Sequence, residues 1–182
     1  SGGMQLLSQH PDQHKLLLDD MSLLPAAIEE MLRFAPPVIQ FRRTATMDTE
    51  LAGQKIAKGD KVVIFYASAN RDESVFDRPD TFDIRRNPNP HLSFGDGTHF
   101  CLGANLARLE ARVIFTELLT RLPDLRIVGQ PVRMRSNFVT NFKHMQAEFT
   151  PAAKLGPLAR TVATPASTRA AAAVPTSKTA AA

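Results

Sequence analysis

The chain has 182 residues, 43% apolar and 22% charged, enough for one globular core and a tail. Apolar stretches such as Leu16–Leu18 and Val62–Tyr66 fall far short of the roughly 20 residues that cross a bilayer, which excludes a spanning helix in this segment. Lys plus Arg exceed Asp plus Glu by 22 to 18, but Lys154, Arg160, Arg169 and Lys178 carry the whole excess and residues 1–150 balance, so no nucleic-acid partner is indicated.

Helices come first. Met4–Gln9 is followed by Pro11, favourable in a first helical turn, and by Asp12–Leu18 with three successive leucines. Ser22 is the expected N-cap of Leu23–Phe34, where Leu24, Ala27, Ile28, Met31 and Ala35 recur at helical spacing until Pro36-Pro37 stops the run. The period then changes. Val38–Arg43 and Lys61–Tyr66 are expected as strands, with turns at Gly53 and at Lys58-Gly59-Asp60. A long helix is expected over about Ala104–Leu122, with Leu106, Leu109 and Val113 and then Phe115, Leu118 and Leu122 as its apolar positions; Arg133–Phe149 reads as a hairpin. Residues 151–182 turn to Ala, Thr, Pro and Ser, too poor in large apolar side chains to offset their ordering entropy, and are expected to be a disordered tail. No repeat is visible. The start lacks the basic flank and hydrophobic run of a secretory signal, and a single Cys allows no internal disulfide; both fit a reducing, cytoplasmic setting.

Three places are candidates for chemistry. Glu30 and Arg33 stand at i, i+3 and can meet; spacing alone makes them a solvated surface pair, opposite the Leu24/Ile28/Met31 stripe. His10 and His14 at i, i+4 lack the intervening Glu of a metalloprotease helix and make an incomplete metal site. The third is Phe94-Gly95-Asp96-Gly97-Thr98-His99-Phe100-Cys101-Leu102-Gly103, running straight into the long helix. A dinucleotide fingerprint fails because Phe100 stands where the third glycine is needed, and a zinc site from His91, His99 and Cys101 lacks a fourth ligand. A lone Cys is ordinarily a small buried hydrophobe. Here Gly95, Gly97 and Gly103 free the backbone around the sulfur, the helix N-terminus favours a thiolate, and Phe94 and Phe100 are placed to shield it. A shielded thiolate is what a haem iron takes from a Cys ligand.

The run F-G-D-G-T-H-F-C-L-G-A-N-L-A-R-L-E resembles the haem-binding signature of cytochrome P450 monooxygenases, with every fixed position filled. Glu30-Met31-Leu32-Arg33 is similar to the family's E-x-x-R helix, Phe41-Arg42-Arg43-Thr44-Ala45 to the strand after it, and Asn89-Pro90-His91-Leu92-Ser93-Phe94 to the approach to the haem loop. The similarity covers about residues 1–150, which are therefore expected to be the haem-binding, C-terminal part of that fold, mainly α with small β-sheets.

The resemblance implies that Cys101 is the proximal ligand of haem b, that Arg43, His91 and His99 contact the haem propionates, and that Phe94 and Gly103 belong to the haem loop. It makes Glu30 and Arg33 a buried structural pair, against the surface reading from spacing. The Arg that completes this pair in P-E-R-F-like segments is replaced by Thr81 in Pro79-Asp80-Thr81-Phe82, which leaves Arg85 or Arg86 as substitutes. Val38, Ile39, Phe138 and Val139 match pocket-lining segments suited to an apolar substrate. The acid–alcohol pair that handles protons and the roof of the cavity belong, in the family, to sequence before Ser1. The implied activity of the parent is monooxygenation of a steroid or fatty acid with O2, fed by a ferredoxin-type redox partner docking at Arg108 and Arg112. The alternative is a non-catalytic haem-binding or interaction remnant.

Overall fold

The computed structural model describes residues 1–150; the tail expected to be disordered lies outside them. Two short helices, α1 (Gly2–Gln9) and α2 (Pro11–Asp19), lead to a 3₁₀ turn at Met21–Leu23 and then to α3 (Leu24–Phe34). Ser22 is not the cap of α3. The Asp20 side chain accepts the Ser22 N–H at 2.9 Å, so the turn is capped one step earlier and feeds directly into α3, with Pro25 in its first turn.

Strand β1 (Gln40–Thr44) pairs antiparallel with β4 (Lys61–Phe65), and between them β2 (Thr49–Leu51) pairs with β3 (Gln54–Ile56). Both long strands are shorter than expected. Val38 makes only an isolated bridge to Val139, and Tyr66, which is buried, donates its N–H to the Ile39 carbonyl and opens the helical turn α4 (Tyr66–Ala69). Residues 70–103 then run without long elements to α5 (Ala104–Arg121). The terminal hairpin starts earlier than expected, because β5 (Arg126–Arg133) pairs with β6 (Phe142–Glu148) from Arg126 opposite Glu148. Gly129, at φ +67°, and Pro131 lie where its register shifts.

The core lies where α1, α2 and α3 meet one face of α5. Leu6, Leu7, Leu17, Ala27, Ile28, Met31, Phe82, Ile84 and Leu119 are buried together. Phe115 and Leu118 join them from α5, while Leu106, Leu109, Val113 and Ile114 on the same helix are each more than half exposed. The long helix is apolar on two faces, and the described residues cover one. Among those residues no helix is long and apolar enough to cross a membrane.

Candidate functional site

Two glycines shape the loop that carries the sulfur. Gly95 and Gly97 adopt φ of +74° and +64°, a region that costs a side chain about 1–2 kcal/mol, and the 3₁₀ turn Gly97–His99 follows. Gly103 is different from the expectation: its φ is −87°, open to any residue, and an added Cβ would stand 3.9 Å from the Cys101 Sγ in ordinary contact. The loop closes on itself through the Cys101 N–H, which donates to the Phe94 carbonyl at 2.8 Å, and α5 begins three residues later.

Cys101 opens onto a cavity of about 800 Å³. Phe94, His99, Arg43 and Val38 line it with Phe41, Ile64, Leu92 and Asp96, so three chain regions contribute one largely apolar wall that carries a guanidinium, an imidazole and a carboxylate. The sulfur is exposed rather than shielded: Phe94 is half-buried, but Phe100 is 50% exposed, with its ring centroid 6.2 Å from that of Phe94. An exposed soft donor between apolar walls, with a guanidinium and an imidazole on the lining, fits a flat apolar ligand that bears a metal and carboxylates. The residues present therefore suit haem.

Not every expected residue joins this wall. His91 is turned away: its side chain is 3% exposed, its Nδ1 accepts the Ser93 N–H at 3.2 Å and its Nε2 donates to Glu29 at 3.0 Å. Both ring nitrogens are engaged by protein groups. Ile39, Phe138 and Val139 do not line the cavity either. They brace it instead, since the Ile39 N–H donates to the Phe138 carbonyl at 2.9 Å and the Phe138 ring meets Phe41 edge-on at 5.5 Å. Of the histidine pair, His14 lies on α2 and His10 at the junction before it, where its Nδ1 donates to the Leu6 carbonyl and its ring packs near Phe34 and Phe82; no group of three metal-ligating side chains occurs among the described residues.

Behind the loop, Glu30 and Arg33 have no exposed side-chain surface. All five guanidinium N–H groups of Arg33 are used, two on the Glu30 carboxylate at 2.8 Å and three on the carbonyls of Asn70, Pro79 and Thr81. Burial of charge is tolerable only with this degree of satisfaction. Arg86, not Arg85, is the third partner: its Nε donates to Glu30 at 3.2 Å, its side chain is 9% exposed, and Thr81 contributes its carbonyl to both arginines. Asn70, absent from the sequence reading, joins the two halves. Fully buried, it donates to the Arg33 carbonyl and to Ser93 Oγ and accepts the Leu92 N–H, pinning the approach to the Cys loop onto α3. A buried Asn following an aromatic helical turn carries no periodic signal, and its partners are 22 to 37 residues away.

Arg108 is also placed differently from a free docking cation. It donates from Nε and Nη2 to Glu29 at 2.7 and 2.8 Å, with its guanidinium 4.5 Å from the Phe94 ring centroid; Arg112 is exposed and has no ion-pair partner among the described residues. Partial burial alone would raise the Glu29 carboxyl, but the hydrogen bonds from Arg108 and His91 outweigh it and bring the pKa down to about 2.

A cavity lined by Cys101, Arg43, His99 and Asp96 at the head of a helix, backed by a satisfied Glu–Arg pair, is a site that suits haem. The Cytochrome P450 family model matches residues 5–147, and the chain belongs to that family. It is 51% identical over 155 residues to a steroid C26-monooxygenase of Mycolicibacterium smegmatis, covering 84% of this chain and 39% of that protein. A methyl-branched lipid omega-hydroxylase of Mycobacterium bovis is 52% identical over 143 residues, covering 78% of this chain and 33% of that protein. Among solved structures, CYP109E1 from Bacillus megaterium in complex with testosterone aligns with a TM-score of 0.80 at 37% identity, covering 82% of this chain and 42% of that one. The chain thus spans well under half the length of the relatives it matches.

Proposed function

We propose that this chain is the haem-binding part of a haem-thiolate monooxygenase that oxidises an apolar substrate of steroid or branched-lipid type with O2. The observation that carries the reading is the exposed Cys101 on the wall of the cavity with Arg43 and His99. Haem b held by Cys101 supplies the oxygen chemistry, favoured by electron donation from the thiolate. The chain's own residues bind and orient it: Arg43 and His99 take the propionates, Phe94 packs beside the ligand, and Val38 and Phe41 form the apolar wall on which substrate rests. The names of the relatives support the substrate class. Electrons come from a ferredoxin-type partner, for which the exposed Arg112 is the contact on α5; Arg108 spends its charge on Glu29. The activity is assigned to a protein with the family's full length.

Reduction under carbon monoxide tests the ligand assignment. The chain supplied with haem is expected to give the red-shifted Soret band of thiolate ligation, and Cys101→Ser to lose it; an unchanged band in the variant overturns the assignment.

A further inference from the structure

A connected set of charged side chains stands behind the ligand loop and outside the cavity. The Arg108–Glu29 fork joins α5 to α3, Glu29 Oε2 also takes the His91 Nε2–H, and Arg108 lies on the Phe94 ring. Both ends of the segment 91–94 are therefore held by one ion pair, and the same segment accepts the Cys101 N–H through the Phe94 carbonyl. A bidentate Arg–carboxylate pair has a fixed geometry that a single-point contact lacks. Side-chain exposures of 31% for Arg108 and 27% for Glu29 keep the pair half out of water, where its field is less screened than that of a surface charge.

The orientation of the pair matters. The Arg108 guanidinium lies 4.5 Å from the Phe94 ring centroid, and Phe94 lines the same cavity as Cys101, so the cationic end of the pair is the one that meets the ligand loop. Arg112, one turn further along α5, is exposed and has no comparable anchor among the described residues.

We propose that Arg108, anchored by Glu29, is a positioning residue for the Cys101 ligand, holding Phe94 in place and keeping a fixed cation behind the loop that makes the bound haem easier to reduce. The inference rests on the haem-thiolate reading above. Adding an electron next to a cation is favoured by Coulomb attraction, and a cation that cannot swing into solvent keeps that advantage.

The full chain loaded with haem is compared as wild type, Arg108→Gln, Arg108→Lys, Glu29→Gln and Arg112→Gln, by midpoint potential, ferrous carbon monoxide spectrum and thermal unfolding. Arg108→Gln is expected to disfavour reduction about tenfold, a shift of about 59 mV to more negative potential for one electron. Arg112→Gln is expected to change the equilibrium less than about twofold, because solvent screens an exposed charge. Arg108→Lys keeps the charge without the fork and should recover part of the potential. Glu29→Gln, which frees Arg108, should convert part of the thiolate-type band to the blue-shifted form. Equal shifts in Arg108→Gln and Arg112→Gln overturn the inference, as does a loss of thermal stability in Arg108→Gln with potential and spectrum unchanged. Should Arg108→Gln fail to fold, a wild-type potential and spectrum in both Arg108→Lys and Glu29→Gln overturns it equally. A wild-type chain with no thiolate-type band removes the haem reading and this inference together; a normal wild-type band with silent variants removes the inference alone.

Discussion

The two sides of the Cys101 loop treat polar groups in opposite ways. Behind it, Glu30, Arg33, Asn70 and Ser93 are buried and hydrogen-bonded, with every guanidinium proton of Arg33 assigned to a protein acceptor. In front of it, Arg43, His99 and Cys101 stand exposed on the cavity wall, and Phe41, Ile64 and Phe65 are exposed beside them. A satisfied network fixes where the loop sits, and groups left exposed on the other side are available to a ligand. Rigidity is placed where nothing binds, and binding capacity where nothing packs.

The largest expected effect breaks the buried side. Arg33→Ala leaves the Glu30 carboxylate with much of its compensation removed and should cost about 3–5 kcal/mol in urea unfolding. Arg86→Ala removes one charged hydrogen-bond partner and should cost about 1–3 kcal/mol, while Arg85→Ala stays within about 0.5 kcal/mol. Equal effects of the two would show that Arg86 is not the third partner.

The loop itself separates conformation from contact. Gly95→Ala forces a side chain into left-handed backbone and should lose about 1–2 kcal/mol by chemical denaturation. Gly103→Ala, at φ −87° beside the sulfur, is expected to fall within about 0.5 kcal/mol of wild type. A reversed order would refute the placement of strain at Gly95.

Acid sharpens the comparison further. Glu29 has its carboxyl lowered to about 2 in the folded chain, so its contribution is fully present above the ordinary carboxylate range and is lost as pH falls through that range toward 2. Unfolding free energy measured from pH 6 to pH 2 should decline less steeply in Glu29→Gln than in wild type. Parallel curves would show that the Arg108 and His91 contacts do not hold the carboxylate charged.

The smallest effect belongs to an ion pair with nearly the same spacing as the buried one. Lys15 and Asp19 meet at i, i+4 on α2 with side chains 74% and 58% exposed, and Lys15→Ala should change stability by about 0.3–0.5 kcal/mol, vanishing at high salt. Thermal unfolding at low and high salt measures it. A loss as large as that of Arg33→Ala would contradict the account of burial.

Some of this molecule was legible in one dimension. The three leucine-bearing helices follow from apolar spacing, and the Cys loop follows from glycines, an aromatic frame and a helix start within ten residues. Such features depend on neighbours along the chain, and local sterics and periodicity decide them. The hairpin limits and the strand ends at Val38 and Tyr66 were missed by a few residues, since contacts to other segments set them: the bridge of Val38 to Val139 and the Tyr66 N–H on the Ile39 carbonyl; the start of α3 was missed by one residue through a local bond, the Ser22 N–H on the Asp20 carboxylate.

By itself the sequence determined the loop that carries Cys101 and the family whose motifs surround it. Only the tertiary structure decided which charges are buried. Spacing on α3 places Glu30 and Arg33 opposite the apolar stripe, which is where solvent would be if α3 packed on one side alone. The segment 70–89 covers that second side, bringing Asn70, Pro79, Thr81, Arg86 and Asn89 to the pair from 37 to 59 residues away. The same long-range packing turned His91 and Arg108 toward Glu29 and left Arg43 and His99 facing the cavity. A side chain's period tells which way it points from its own helix, and the rest of the chain decides whether water or protein meets it there.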